Sequence, residues 1–152
     1  LALAIARRES EFDPAAVSPA GARGLMQVLP ETAGRMAKGL GLDHSTGKLT
    51  ADPGYNVAVG TAYLRQMLDE FGPSVALIAS GYNAGPGRPR NWIGQFGDPR
   101  QPGVDVVDWV ETIPFAETRT YVMRVVEGVV IYRQRLKGAA GPVRITAELK
   151  GN

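Results

Sequence analysis

Apolar positions recur with a helical period along most of the chain. Residues 1–12 form the first candidate helix. Asp13-Pro14 stops it, because proline disfavours helix at the residue before it. Pro30 opens a second helix through about Leu40, with Gly39 and Gly41 near its end. Asp52-Pro53 supplies a cap and a first-turn proline. From there Val57, Thr61, Leu64, Leu68 and Phe71 share one face until Gly72-Pro73 closes the helix. Pro73 or Ser74 opens a short apolar helix reaching about Tyr82; residues 88–95 suit another, and 105–111 another after Asp105. Residues 116–136 carry a long helix ending at Gly138. Its valines also suit a strand, but Val122, Val125, Val126, Val129 and Val130 recur at helical spacing and no hairpin turn divides them. Loops rich in glycine and proline lie at 14–29, 41–52, 83–88 and 94–104. The pattern predicts an all-α single domain.

Composition narrows the chemistry. The 152 residues hold 17 basic and 15 acidic side chains, one histidine and no cysteine. Thiol nucleophiles, disulfides and cysteine-ligated zinc are excluded, and a lone His44 argues against histidine catalysis or a metal site. We expect no metal and no cofactor. A net charge of +2, with dispersed basic residues and 7% aromatics, argues against nucleic acid as a partner. No apolar run approaches the roughly 20 residues of a membrane span, so no transmembrane segment is expected. The chain starts at Leu1 inside a helical pattern, which suggests a domain cut from a longer protein. The boundaries expected are a domain over 1–137 and an extension or linker over 138–152, rich in small residues and containing Gly141-Pro142.

One carboxylate sits in a special place. At about 100° per residue, Leu1, Ile5 and Phe12 fall in a narrow sector and Glu9 lies on its edge. Glu11 points elsewhere, within a turn of Arg7 and Arg8. Apolar surroundings and a helix C-terminus both disfavour an ionised Glu9, so its pKa is expected to rise. A carboxyl kept protonated near neutral pH can serve as a general acid. The residues alone favour the other reading, a Glu9 that bends outward to water, because an unpaired Glu is rarely buried.

Five segments recur in order: AIARRESEFDP at 4–14, SPAGARGLMQVLPETA at 18–33, GTAYL at 60–64, GYNAGPGR at 81–88 and ETIPFAETRTYV at 111–122. Together, over roughly 1–136, they resemble the catalytic domain of the soluble lytic transglycosylases, which belong with goose-type lysozyme to the lysozyme-like superfamily. The resemblance implies a lysozyme-like α fold with a glycan-binding cleft. It implies cleavage of the β-1,4 bond between N-acetylmuramic acid and N-acetylglucosamine in bacterial peptidoglycan, leaving a 1,6-anhydro end. Glu9 matches the family's single catalytic glutamate, first acid and then base. The alternatives are a hydrolase of the goose-lysozyme kind and a silent peptidoglycan-binding module. The substrate implies the periplasm and cell envelope, with any export signal upstream of Leu1. The family also often places a helical superhelix before this domain.

The same match suggests supporting residues. Gln27 is the best binding candidate, since an amide both donates and accepts; a loop-to-backbone bond is its other reading. Ser18 suits either Glu9 or the muramic lactyl group, or a turn before Pro19. Leu29 stands where the family often has methionine and either lines the cleft or packs. Gly21 and Gly24 read as backbone enablers and Leu25 and Met26 as packing residues. Tyr82 and Asn83 match an Ala-Tyr-Asn motif whose alanine is Gly81 here. Tyr82 is expected near Glu9 and the acetamido group, and Asn83 either contacts ligand or organises the turn. Glu111 is assigned to substrate binding, with an ion pair to Arg119 or another arginine as its other role. Tyr121 faces the cleft or is buried. Phe115, Arg119, Trp92 and Trp109 read as structural, and His44 as solvated.

Overall fold

The computed structural model describes residues 1–152. Nine helices follow one another without a strand: α1 (Ala2–Ser10), α2 (Pro30–Leu40), α3 (Lys48–Ala51), α4 (Pro53–Phe71), α5 (Val75–Ala84), α6 (Gly87–Phe96), α7 (Val106–Thr112), α8 (Ala116–Lys137) and α9 (Ile145–Lys150). The backbone gathers into two compact units, essentially Ala4–Gln66 and Met67–Asn152. No helix is long and apolar enough to cross a membrane.

In the first unit the core is built from Ile5, Met26, Val28, Leu49, Val59 and Leu64. Pro30 occupies the first turn of α2, where its missing N–H costs nothing, and Gly41 ends that helix at φ 69°. The expected stripe of α4 holds at Leu64 and Phe71, which are buried, but fails at its start: Val57 is 41% exposed, whereas Tyr55, Asn56 and Val59 are buried. The reason is Asn56: this polar residue, outside the apolar stripe, is fully buried, and the first turn of the helix faces the core through it. The first helix also stops earlier than expected. It ends at Ser10, and Glu11 and Phe12 take left-handed φ of 52° and 65° before Asp13-Pro14 is reached.

In the second unit α5 is the central element. Every residue from Val75 to Tyr82 is buried, as expected of a helix that is apolar all round. Helices α6, α8 and α9 pack on it. Ser74 caps α5 by accepting from Leu77 N–H, and Asp105 caps α7 by accepting from the Val107 and Asp108 N–H groups. The long helix presents Val122, Val125, Val126 and Val129 to the core at spacings of three and four, and Gly138 ends it at φ 68°. Trp92 and Trp109 are buried and meet edge to face, with ring centroids 6.5 Å apart. Arg119 donates to the Ile113 carbonyl at 2.5 Å, and the Phe115 ring sits 5.7 Å from Trp92. Residues 138–152 do more than trail away. Helix α9 buries Leu149 completely, and the Ser74 hydroxyl donates to the Leu149 carbonyl at 2.7 Å. Lys150 Nζ donates to the carbonyls of Gln101 and Val104. Helices α3 and α9, of four and six residues, are too short for their apolar period to show in sequence.

Candidate active site

Glu9 stands in the last turn of α1, half-buried, one turn beyond the fully buried Ile5. Its neighbour Ser10 fixes that turn. The Ser10 hydroxyl lies 2.7 Å from the Leu25 carbonyl and 3.1 Å from the Ala6 carbonyl. The first contact joins the end of α1 to the loop before α2. Sequence reading treated Ser10 only as part of a motif; its partner 15 residues away gives no local signal.

That loop is a small folded object. Arg23 pairs with both Val17 and Val28 as isolated antiparallel bridges. Ser18 closes the turn at 18–22: its N–H donates to the Ala22 carbonyl at 2.9 Å and its hydroxyl oxygen accepts from Ala22 N–H at 3.0 Å. Gln27 holds a left-handed φ of 49°, uncommon for a residue with a side chain. Its amide nitrogen donates at 3.0 Å to the carbonyls of Ala16 and Gly24, so the side chain braces the loop that carries it. Leu29, just before α2, is 45% exposed.

Asn56 holds this loop on α4, and pattern reading missed it. Its Oδ1 accepts from Met26 N–H at 2.9 Å, and its Nδ2 donates to the carbonyls of Arg23 at 2.8 Å and Leu49 at 3.0 Å. Two glycines let the surfaces approach. A Cβ on Gly24, already at φ 77°, would collide with Leu49 O and Asn56 Nδ2. A Cβ on Gly60 would lie 2.5 Å from Met26 Sδ and 2.7 Å from Met26 Cβ. On the same helix, burial pushes the Tyr63 hydroxyl above its usual pKa, against the opposing pull of Arg35.

The remaining candidates lie in the second unit. Tyr82 is buried in the last turn of α5, 8% exposed. Asn83 Oδ1 accepts from the buried Thr118 hydroxyl at 2.7 Å, which ties α5 to α8. Gly81 sits within a continuous α5; a Cβ there would be 3.1 Å from Met67 Sδ and 3.2 Å from the Phe71 ring. Glu111 is exposed on α7, and Tyr121 is buried on α8. The structure thus brings Glu9, Ser10, Ser18, Gln27 and Leu29 into one unit, and Tyr82, Asn83, Glu111 and Tyr121 into the other. No group of three or more His, Asp or Glu is arranged to hold a metal ion. The solvated reading of His44 needs one addition: it is exposed, but its Nδ1 lies 2.5 Å from the Tyr55 hydroxyl.

Comparison with known families decides the kinship. The model of the family described as Transglycosylase SLT domain matches residues 1–101. The chain belongs to this family. Over 134 residues, the SLT chain is 42% identical to the soluble lytic murein transglycosylase of Escherichia coli K12, covering 87% of this chain and 20% of that protein. The 70-kDa soluble lytic transglycosylase from Escherichia coli superposes with TM-score 0.81 at 41% identity, over 91% of this chain and 22% of the other. An inactive mutant of the lytic transglycosylase Slt from Pseudomonas aeruginosa, in which glutamine replaces one glutamate, superposes with TM-score 0.80 at 39% identity. That match covers 92% of this chain and 22% of the other. The SLT chain therefore has a lysozyme-like α fold and spans about a fifth of the length of the curated relatives it matches.

Proposed function

We propose that this chain is the catalytic domain of a bacterial peptidoglycan lytic transglycosylase, with Glu9 as its single acid and base. The observation that carries the reading is 42% identity to a soluble lytic murein transglycosylase over 87% of the chain, with the Glu9-Ser10 pair inside the matching motifs. Glu9 sits half-buried over Ile5, and Ser10 anchors its turn. In the Pseudomonas aeruginosa relative, an inactive mutant is one in which a glutamate has become glutamine.

Glycoside cleavage develops positive charge at C1 and commonly employs two carboxylates. With one, the substrate supplies the second group. Protonated Glu9 donates to the bridging oxygen; the C1–O bond breaks and its electron pair stays on that oxygen. The 2-acetamido oxygen of the muramic acid bonds to C1 and carries the charge as an oxazolinium. Glu9, now a carboxylate, takes the proton of the C6 hydroxyl while O6 attacks C1 and the oxazolinium opens. Glu9 ends protonated, and the product is a 1,6-anhydro ring. Water is excluded as acceptor because the internal hydroxyl is held beside C1 at high effective molarity. Ser18, Gln27, Leu29, Tyr82, Asn83, Glu111 and Tyr121 are assigned to glycan binding. The catalytic domain spans 1–137 and residues 138–152 are its extension. A helical domain upstream in the same parent chain and a periplasmic location complete the reading.

Digestion of purified sacculi, followed by mass spectrometry, tests it. Wild type should release muropeptides one water lighter than reducing-end products. Glu9→Gln should lower turnover about 10²–10⁴-fold at an unchanged melting temperature. Reducing-end products, or full activity in a folded Glu9→Gln variant, would overturn it.

A further inference from the structure

Basic residues gather where the chain turns back after α8. Val130, Arg133, Gln134 and Lys137 lie at i, i+3, i+4 and i+7 on α8, so they form one face of its last two turns. Gly138 turns the chain back at φ 68°, and Gln134 Nε2 donates to the Gly141 carbonyl at 3.1 Å. The returning segment then faces α8 across a pocket of about 210 Å³, with Pro142, Arg144 and Glu148 in its opposite wall. Glu148 is the only acid in the lining and is engaged by Arg133. Lys137 and Arg144 are left without a carboxylate in the wall. Three cations and one anion give the lining of the pocket a formal charge of +2. A cation near a helix C-terminus offsets the helix dipole, which accounts for Lys137 but not for Arg144 in the facing wall.

We propose that this pocket binds a phosphate group. Its volume is below that of pockets that enclose whole drug-sized ligands, so it takes a terminal group. Phosphate is the compact oxyanion whose charge of about −2 matches the surplus, and its oxygens accept from ammonium and guanidinium donors together. Arg133 is held in place by Glu148, while Lys137 and Arg144 supply the unpaired charge. The phosphate can belong to a lipid headgroup or to a soluble ester. Leu136 and Val143, the sequence neighbours of Lys137 and Arg144, are 77% and 62% exposed, which gives a lipid surface apolar side chains to meet.

Inorganic phosphate is titrated into the whole chain and followed by amide NMR, with chloride at matched ionic strength as control. The expected shifts are confined to 130–148. Affinity should fall at least about tenfold in the Lys137→Gln/Arg144→Gln double variant and survive in Lys137→Arg/Arg144→Lys. Turnover on sacculi should be unchanged in both. Equal shifts with chloride, shifts spread over the surface, or equal affinity in the Gln variant would overturn the proposal. Co-sedimentation with vesicles of phosphatidylcholine alone or with added phosphatidic acid, whose headgroup is a terminal phosphate monoester, separates the sources. Pelleting of wild type, but not the Gln variant, with the phosphatidic acid vesicles alone assigns a lipid phosphate; phosphate binding without pelleting assigns a soluble ester.

Discussion

Asn56→Ala is expected to be among the most destabilising single changes in the first unit. The Asn56 side chain is fully buried and makes three hydrogen bonds, to Met26 N–H, Arg23 O and Leu49 O. The Arg23 carbonyl also accepts from Val28 N–H, so it stays partnered after the change. Met26 N–H loses its side-chain acceptor beside a Met26 that is 1% exposed; stranding a buried donor costs about 1–3 kcal/mol. Losing the bond to Leu49 O adds about 1 kcal/mol, for a total near 3 kcal/mol. Against a typical stability of about 5–15 kcal/mol this is a large fraction. Urea unfolding measures it: the midpoint should fall by about 1.5 M at unchanged slope, for slopes near 2 kcal/mol/M. Asn56→Asp sharpens the test. It keeps an acceptor for Met26 N–H but turns oxygen toward two carbonyls, so the buried carboxyl has a raised folded pKa. Its penalty is then smallest below the unfolded value of about 3.9 and grows as pH rises toward 7. A loss under about 1 kcal/mol for Asn56→Ala, or a pH-independent penalty for Asn56→Asp, would refute the claim that this amide pins the loop.

Three further outcomes follow from the packing. Gly60→Ala pushes a methyl to within 2.7 Å of Met26 Cβ, which cannot swing aside as Sδ can, and should cost about 1–3 kcal/mol; a double-mutant cycle with Met26→Gly, which removes that Cβ, should show coupling above about 0.5 kcal/mol in denaturant. Leu149→Ala empties a fully buried site on α9 and should cost about 2–5 kcal/mol, with limited proteolysis then cutting near Gly138 before the remainder. Asp98 is held below the usual carboxylate range by hydrogen bonds from the Arg100 side chain. Its contribution is therefore present above the unfolded pKa and lost as pH falls through the folded one. Asp98→Asn should cost about 0.5–1 kcal/mol at pH 7 by thermal melts, and the gap to wild type should close below about pH 4.

How much of this could be read beforehand depends on whether the cause was local. Pro30, Ser74, Asp105 and Gly138 mark helix ends through their own covalent chemistry, and each stands at the expected boundary. The valines of α8 declared their face because four of them share it. Asn56 did not, because a buried amide looks like a solvent-facing one until its partners, 30 and 33 residues away in sequence, are in place. Likewise α9 has too few turns to show a period, and its burial depends on Ser74, 75 residues before Leu149.

The motifs conceal a similar division of labour. Gly24 and Gly60 stand in different motifs, yet each is glycine for the same physical reason: the space a Cβ would need is filled by Leu49 and Asn56 in one case and by Met26 in the other. Gln27 braces its own loop in a left-handed conformation. Ser10 anchors the turn that holds Glu9. Much of the matching sequence is therefore scaffold for one loop, a loop that the Ser10 hydroxyl ties to the helix of Glu9. Motif residues whose role is scaffolding should lose stability when altered, whereas Glu9 should lose turnover at constant stability. Comparing melting temperature with turnover across Ser10→Ala, Gly60→Ala and Glu9→Gln separates the two classes, and a Glu9→Gln variant that melts lower without losing activity would place that glutamate among the scaffold.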